Sequence, residues 1–335
     1  MAGGKETPRQ KMIGMMYLVL TALLALNVSK AVLDAFVAIE ENTQKGNITQ
    51  FERGEMARKT LVEAKSEVTN DDAGRQKKKK IEFYLDMIKK IDVETGKMIA
   101  EIDEIKLDIL AKSGEAVVEY KDEETILWKK YDKKNTPLLP IRMHLMAVQA
   151  KDQYDVPMHE IIGEDIKKPS GSGLKLWKDY NKYRKFLTET LGTYKAGEKQ
   201  WSFKAKDINN HKDNASLVKE IQKMIKAGNV NPEDEAIIEQ LYAELSKEEF
   251  SEMHGMEGVH WMGKTFDHSP LVAAVASLSA LQQEILSARA TAVTHLKGKV
   301  STGEYSFNKV MPLAYGPMIA NSGDEVEIQV MMAAF

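Results

Sequence analysis

The chain has 335 residues, of which 43% are hydrophobic and 29% are charged, so it is long enough for two or three domains with a substantial core. Its net charge of −3 argues against a nucleic-acid-binding protein, which would usually be basic. The sequence contains no cysteine, which excludes disulfides, thiolate metal sites and cysteine nucleophiles within it.

The first predicted element is an apolar helix near the start of the chain. Met12–Val28 is a run of seventeen residues without a charge. Upstream, Thr7 and Gln10 match a capping box, and Pro8 suits the first helical position. A helix over 8–28 would be about 31 Å long. That length just spans a bilayer, whose hydrocarbon core needs about 20 apolar residues of helix.

Two other interpretations of this run are open. A secretory signal peptide would end in a small-residue cleavage site. Here, however, the helical spacing of apolar residues continues through Val32, Leu33 and Phe36. A buried core helix of a soluble protein is the second alternative, and it is disfavoured because no charge interrupts the run. The pattern favours a signal anchor that spans the membrane once and continues outward as a helix.

The orientation of the span follows from its flanking charges. Lys5, Arg9 and Lys11 precede the run, against a single acid, Glu6. The positive-inside rule therefore predicts that residues 1–11 form a cytoplasmic tail. Everything after the span is expected in the periplasm, so the predicted location is the inner membrane.

Arg9 is an unusual residue for the first turn of a helix, where the helix dipole disfavours a cation. It lies 18 residues, or five turns, before Asn27, so both positions share one face, with Met16 and Leu20 between them and Tyr17 at the side. One interpretation is that Arg9 only enforces the orientation. The other is that Arg9 pairs with an acid on another membrane protein, because an ionisable group at the edge of a span is a functional candidate.

The N-terminal sequence MAGGKETPRQKMIGMMYLVLTALLALNVSKAVLDAF resembles the GldM family, called PorM in species that do not glide. The matching segments are MAGGK, PRQKMI, MYLV, LALN, SK and VL.AF. The middle of the chain matches loosely, and agreement returns at Trp261, Phe266, 270–273 and 278–282. The family is the inner-membrane motor protein of gliding motility and type IX secretion.

This resemblance implies partners and a mechanism. It implies a homodimer whose spans sit inside a ring of helices from a GldL-like inner-membrane protein. Proton flow past charged groups at that interface would turn the dimer. Arg9 matches the family's basic position in PRQKM and would pair with a partner glutamate. Several small β domains would follow and reach outer-membrane-associated secretion components. No cofactor is implied.

Beyond residue 29 the apolar periodicity predicts mostly helices. The first helix is expected to continue through Glu40 and to weaken or kink at Gly46 and Gly54, before a turn at 70–74. The longest amphipathic pattern ends at Ser113-Gly114. Further helices are predicted at 117–131, 138–153, 177–187, 217–225, 233–245 and 269–296, a long connection at 157–173, irregular chain at 192–215, a loop at 251–268, and strands at 305–310 and 325–332.

Only one cluster resembles a metal or catalytic site. His254, His260, Asp267 and His268 lie in a segment rich in glycine, but the histidine gaps of six and eight do not fit the i, i+4 spacing of helical metal ligands. A packed loop is therefore favoured over a metal site. Common nucleotide-binding, metalloprotease and serine-hydrolase motifs are absent from the sequence, so an enzyme is the weakest interpretation.

The predicted fold class is mainly α. It comprises one N-terminal transmembrane helix (8–28), a long periplasmic helical bundle (29–300) and the first strands of a β domain (301–335) that is expected to continue beyond this sequence. The predicted function is the axial, force-transmitting component of a motor driven by the proton motive force. The alternative is a single-pass sensor with a helical periplasmic domain, for which about ten cytoplasmic residues are too few to form an output domain.

Overall fold

The computed structural model of the chain describes residues 8–117, 126–127, 136–196, 198–209, 211, 213–301, 310–315 and 329–334, without the side chains at 8–9, 19–29, 301, 310–315 and 329–334. Most of these residues are helical. The helices are α1 (Pro8–Ser66), α2 (Asp72–Lys112), α3 (Asp155–Ile161), α4 (Ser172–Gly192), α5 (Asn214–Ala227), α6 (Pro232–Glu244), α7 (Trp261–Phe266) and α8 (Leu271–Ser301). The strands form three antiparallel pairs: β1 (Lys195–Ala196) with β2 (Lys199–Gln200), β3 (Phe250–Met253) with β4 (Met256–His260), and β5 (Val310–Tyr315) with β6 (Gln329–Ala334).

The three longest helices form the central core, and their contacts give their directions. On α1, Glu40 contacts Ser279 of α8, and thirteen residues later Arg53 contacts Ser287 and Thr291. Because both numbers rise together, α1 and α8 run parallel. On α2, by contrast, Asp92 contacts Arg289 and Lys106 contacts Gln282, so α2 is antiparallel to α8. The C-terminal end of α8 therefore points away from the N-terminal end of α1.

Helix α1 is longer than predicted and continues without interruption through both glycines. Gly46 lies against the side chain of Gln283, and a Cβ atom at Gly54 would stand 2.5 Å from Nη1 of Arg289 and 3.5 Å from Cα of Ala290. These glycines let α1 and α8 approach closely, which offsets their low helix propensity. The predicted turn is shorter than 70–74, since Asp71 already caps α2 by accepting a hydrogen bond from the Gly74 amide (2.7 Å).

The other predicted helices outside 117–153 are confirmed with small shifts at their ends. On α4, Trp177, Tyr180 and Tyr183 are buried, as expected for a core stripe of aromatic residues. Helix α5 begins with a capping box at Asp213, and α6 with Asn231 as the cap and Pro232 in the first turn. Both helices lie within a few residues of the predicted 217–225 and 233–245, and these caps fix where each one begins.

The predicted helix at 138–153 is wrong. This segment crosses the core in turns and extended chain, with only one 3-10 turn at Leu145–Ala147. Its backbone finds partners on other elements: the Ile141 amide donates to the Asp103 carboxylate (3.0 Å), and the Met143 amide donates to Oε1 of Gln44 (3.0 Å). The predicted helix at 117–131 lies mostly outside the described residues; Leu127 there forms a β-bridge with Met143.

The predicted loop at 251–268 is also wrong. It contains the β3–β4 hairpin, in which Met253 pairs with Met256, followed by helix α7. The two residues of the hairpin turn, His254 and Gly255, both have positive φ (51° and 77°). This is the geometry of the tight two-residue turn, in which glycine is common and histidine is tolerated.

A change from helix to strand after α8 was predicted, and the described residues contain one strand pair there. Val310 pairs with Ala334 and Tyr315 with Gln329. Of the predicted strand at 305–310 only Val310 is described, and it lies in β5. Of the predicted strand at 325–332 only 329–332 are described, and they lie in β6. The division at residue 300 remains a prediction, since two strands alone do not make a stable domain.

Candidate functional site: the α1–α8 axis

The N-terminal end of α1 carries apolar side chains that are exposed on every side. All described side chains from Gln10 to Leu18 are exposed, including Met12 (65%) and Leu18 (72%). A helix that is apolar all round is normally buried in a protein core or in a membrane. Within the described part of the chain nothing covers this surface, so it is suited to contact lipid or partner helices.

Two of the five predicted site residues can be placed with their side chains. Met16 and Tyr17 lie on this exposed part of α1, at 64% and 67% exposure. Arg9, Leu20 and Asn27 belong to the same continuous helix, but their side chains are outside the described residues. Their predicted role at a partner interface therefore stays a prediction.

The same helix becomes buried nine residues after the predicted span. Val37 is 1% exposed and Glu40 is fully buried. A group that we call the proximal polar layer begins here and consists of Glu40, Gln44 and Ser279. Oγ of Ser279 donates to Oε1 of Glu40 (2.8 Å), and Gln44 donates both to Glu40 and to the backbone carbonyl of Met143 (2.7 Å). This layer attaches α1 to α8 and to the non-helical segment at 138–153 that crosses the core.

Burial controls the charge of the proximal polar layer. It raises the pKa of the Glu40 carboxyl above its ordinary value, although the nearby charge of Lys106 and the hydrogen bonds from Gln44 and Ser279 act in the opposite direction. Lys106 is itself fully buried on α2, and its Nζ donates to Oε1 of Gln282 (2.6 Å). The amide of Gln282 in turn donates to the Asp103 carboxylate, so α8 is hydrogen-bonded to α1 through Ser279 and to α2 through Gln282.

A second group, the distal polar layer, lies fifteen residues further along α1 and consists of Glu55, Asp92 and Arg289. The guanidinium of Arg289 is fully buried; its Nη2 donates to Glu55 (2.5 Å) and its Nε to Asp92 (2.6 Å). Burial alone would lower the pKa of Arg289, but the two carboxylates outweigh it and the pKa is raised. The side chains of Glu55 and Asp92 are partly exposed (29% and 21%), and even a fully buried ionic triad can often be replaced by apolar residues with a neutral effect or a stabilisation of about 1–4 kcal/mol. Stability alone therefore does not explain the layer.

A third buried ionic group joins α6 to the end of α8. Asp234 accepts hydrogen bonds from Lys299 (2.6 and 2.7 Å), His295 (2.7 Å) and the hydroxyl of Tyr194 (2.5 Å). Burial acts to raise the pKa of Asp234, but these three donors outweigh it, and the pKa is lowered. The group fixes the last turns of α8 on the body.

The histidine cluster does not form a metal site in the structure. His260 caps α7 through its Nδ1, which accepts from the Met262 amide (3.1 Å), and burial lowers its pKa. His268 lies elsewhere, stacked on Tyr154 and hydrogen-bonded to Asp267 (2.8 Å). Among the described residues no group of three such side chains is arranged to hold a metal ion.

One described helix is long and apolar enough to cross a membrane by length and composition. It is Leu271–Val300, essentially α8, with a mean hydropathy of 1.3. In the structure 72% of its most apolar window is buried inside the body, which is typical of a core helix. This finding holds for the described residues only, and the side chains at 8–9 and 19–28 of the predicted N-terminal span are not among them. The span over 8–28 stays a prediction.

The two polar layers were not identified from the sequence, although it contains a signal for them. Ser279 and Arg289, one from each layer, interrupt the most apolar helix of the body, as does Gln282, and its hydrogen-bond partners Asp103 and Lys106 fall among the regularly spaced isoleucines of α2. Polar residues on an apolar face are rare unless they are paired. Their partners come from distant parts of the chain, so the pairing itself was not predictable.

Comparison with known protein families gives a match in the C-terminal part of the chain. The GldM N-terminal domain family matches residues 215–299. The matched residues cover α5, α6, the β3–β4 hairpin, α7 and nearly all of α8, and they include Ser279, Arg289 and Asp234. No curated protein matches the chain.

Proposed function

The chain belongs to the GldM family through residues 215–299, and we propose that it is the axial, force-transmitting component of an inner-membrane motor for type IX secretion and gliding motility. One observation carries this proposal: a single 59-residue helix, α1, is exposed and apolar at one end and buried in the body at the other. At 1.5 Å per residue it is about 88 Å long. A helix of this kind suits the mechanical transfer of movement from a membrane to a folded domain.

In the proposed arrangement residues 8–28 span the inner membrane once, with the N-terminus in the cytoplasm and the body in the periplasm. The spans of a homodimer lie within a ring of helices from a GldL-like protein. Arg9 pairs with a carboxylate of that ring, which the fixed cation keeps ionised. Protonation of the carboxylate weakens the pair, and proton flow driven by the proton motive force then turns the dimer.

The directions of the core helices support the transfer of movement outward. Because α1 and α8 are parallel, the end of α8 that leads to β5 lies at the opposite end of the body from the span. In this arrangement α8 therefore ends on the side of the body that faces away from the inner membrane. We propose that the part of the protein beyond α8 engages outer-membrane-associated secretion components.

The first experiment tests the membrane topology of the protein and whether type IX secretion depends on it. An export-dependent reporter fused after Phe335 should be active, and deletion of the gene should abolish type IX secretion. The wild-type gene should restore secretion, whereas Leu18→Arg, which places a charge on the exposed apolar surface, should not. An inactive fusion, or normal secretion by the deletion strain, contradicts the proposal.

The second experiment tests the interface. Because the sequence lacks cysteine, single cysteines introduced at Met16 and Leu20 report directly on neighbours in native membranes. We expect cross-linked dimers or adducts with the GldL-like protein. Cysteine at Lys59, which is exposed on the periplasmic part of α1, serves as the control for non-specific cross-linking. Only monomers at both membrane positions would contradict the proposed assembly.

A further inference from the structure

We propose that Arg289, Glu55 and Asp92 are positioning residues that couple α1 to α8, so that a rotation imposed on α1 is passed to α8 without slippage. This inference rests on the proposed function, because it assumes that α1 is moved at its membrane end. It goes further by assigning the coupling to a particular buried group of the body.

The coupling has to cross the contact between these two helices. Only α1 leads to the predicted span, and only α8 leads to the C-terminal strands. The two helices pack in parallel, with Gly54 of α1 directly against Arg289 and Ala290 of α8. Contacts between small apolar surfaces resist separation, but they have little directional preference. A smooth helix pair would therefore tolerate a small rotation or sliding of α1.

Arg289 adds a charged, directional contact to the hydrogen bonds that Asn47 and Arg53 make across the same helix pair. Its guanidinium is a rigid planar group whose Nε and Nη2 donate to carboxylates on two different helices, Asp92 of α2 and Glu55 of α1. Rotation of α1 would break the hydrogen bond between Nη2 of Arg289 and Glu55. Glu55 would keep Arg58 and Arg289 would keep Asp92, but the fully buried guanidinium would lose one of its two carboxylate partners. Loss of a partner by a buried charge is unfavourable, so the group opposes rotation in a way that apolar packing does not.

The proximal polar layer supplies a second attachment. Glu40 and Glu55 are fifteen residues apart on α1, which is about 22 Å along the helix axis. Both contact α8, through Ser279 and Arg289 respectively. Two hydrogen-bonded contacts at different positions along the α1 axis fix both the rotation and the axial position of α1. A single contact would allow α1 to pivot about it.

The test uses the whole protein in its own membrane. In the variant Glu55→Leu/Asp92→Leu/Arg289→Met, the ionic group is replaced by apolar residues of similar size. We expect normal protein level, normal topology and normal co-purification of the GldL-like partner, but loss of secretion. Arg184→Met is the matched control, because Arg184 is equally buried but contacts Asp207 and Ser246, away from α1. It should secrete normally.

A cross-link distinguishes coupling from general damage to the body. Arg53 and Thr291 are adjacent across the same helix pair, with Nη2 of Arg53 2.9 Å from Oγ1 of Thr291. Cysteines at both positions, joined by a short bismaleimide reagent, should restore secretion to the apolar variant. A variant that had merely misfolded would not be rescued by one covalent bond.

Wild-type secretion by the apolar variant at wild-type protein level overturns the inference, and so does failure of the cross-link to restore secretion. If the triple variant does not accumulate, Glu55→Gln is used, and secretion that falls and returns on cross-linking supports the coupling, while unchanged secretion overturns it. Normal secretion by the deletion strain instead refutes the proposed function itself.

Discussion

Ser279 of α8 donates a hydrogen bond of 2.8 Å to the carboxyl group of Glu40 on α1, and neither side chain is accessible to solvent. A carboxyl group in such a site prefers to be neutral, since burial penalises its charged form. The pKa of Glu40 is accordingly raised. This pair lies at the first tightly packed turn of α1, where the helix enters the body. The stability of that turn is thus linked to pH.

The first prediction concerns this linkage. A carboxyl group with a raised pKa in the folded protein contributes stability below its unfolded pKa, near 4.5, and that contribution is lost as pH rises through the folded pKa. Glu40→Gln should therefore raise the free energy of unfolding at neutral and alkaline pH and reduce its pH dependence. The amide oxygen can accept from Gln44 while the amide nitrogen donates to Ser279. Thermal unfolding midpoints measured across pH 5 to 8 test this.

Glu52→Gln is the control for Glu40→Gln, because Glu52 lies on the same helix but is exposed. Its unfolding midpoint should follow that of the wild type at every pH. If Glu40→Gln also follows the wild type, or is less stable at neutral pH, the charge of Glu40 is better accommodated in the fold than its burial indicates.

The second prediction concerns Asp234 and Lys299. Lys299→Met removes the lysine from a buried carboxylate that keeps only His295 and Tyr194 as donors, and should cost up to about 3–5 kcal/mol of stability, the usual effect of breaking a buried ion pair from one side. The double variant Asp234→Leu/Lys299→Met should be less destabilised than Lys299→Met alone, because no buried charge is left unpaired. Chemical denaturation of both variants measures the difference, and equal losses would contradict this explanation.

The pH dependence of the same group has the opposite sign to that of Glu40. Because the pKa of Asp234 is lowered in the folded protein, its contribution is present above the unfolded value of 3.8 and is lost as pH falls through the folded pKa. Asp234→Asn should therefore be less stable than the wild type at neutral pH. Its stability should also change less between pH 5 and pH 3.

The third prediction compares the stability effects of alanine at two helical glycines, Gly54 of α1 and Gly298 of α8. At Gly54 a methyl group would overlap with the guanidinium of Arg289, whereas at Gly298 nothing in the described structure lies within 4 Å of the added atom. Gly298→Ala should stabilise by up to about 1 kcal/mol through helix propensity. Gly54→Ala gains the same propensity but should be destabilised by about 1–3 kcal/mol from overpacking. Equal effects on the unfolding midpoint would show that α8 can move away from α1.

The sequence predicted helices well where the signals were local. The isoleucines of α2 and the proline at the start of α6 each act within a few residues, and the corresponding helices formed where expected. The interruption expected in α1 did not occur. The low helix propensity of Gly46 and Gly54 costs less free energy than is gained from the close packing of α1 on α8 that these glycines allow.

The failures arose where distant residues decide the structure. Residues 138–153 contain enough apolar side chains for a helix, but Gln44 and Asp103 supply hydrogen-bond partners that hold Ile141 and Met143 in another conformation. The polar layers depend on distant contacts in the same way: Glu55, Asp92 and Arg289 are separated by up to 234 residues in sequence. No local pattern indicates that three such side chains meet.

The last prediction concerns Arg9, for which the proposed mechanism and the simpler topological role give different results. If Arg9 only orients the span, Arg9→Lys should have no effect, because lysine also satisfies the positive-inside rule. If Arg9 pairs with a carboxylate of the GldL-like partner, the planar guanidinium matters and lysine is not equivalent. Secretion and gliding by the Arg9→Lys strain, at equal protein level, distinguish the two roles.

Arg9→Ala extends the same test. Lys5 and Lys11 remain to hold the orientation, so the protein should still insert and at least partly assemble with its partner. The partner carboxylate would lose its counter-charge at the membrane edge, which would raise its pKa and favour its neutral form. We therefore expect normal insertion with loss of secretion and gliding. Wild-type secretion by the Arg9→Ala strain would remove Arg9 from the mechanism and leave it as a topology signal.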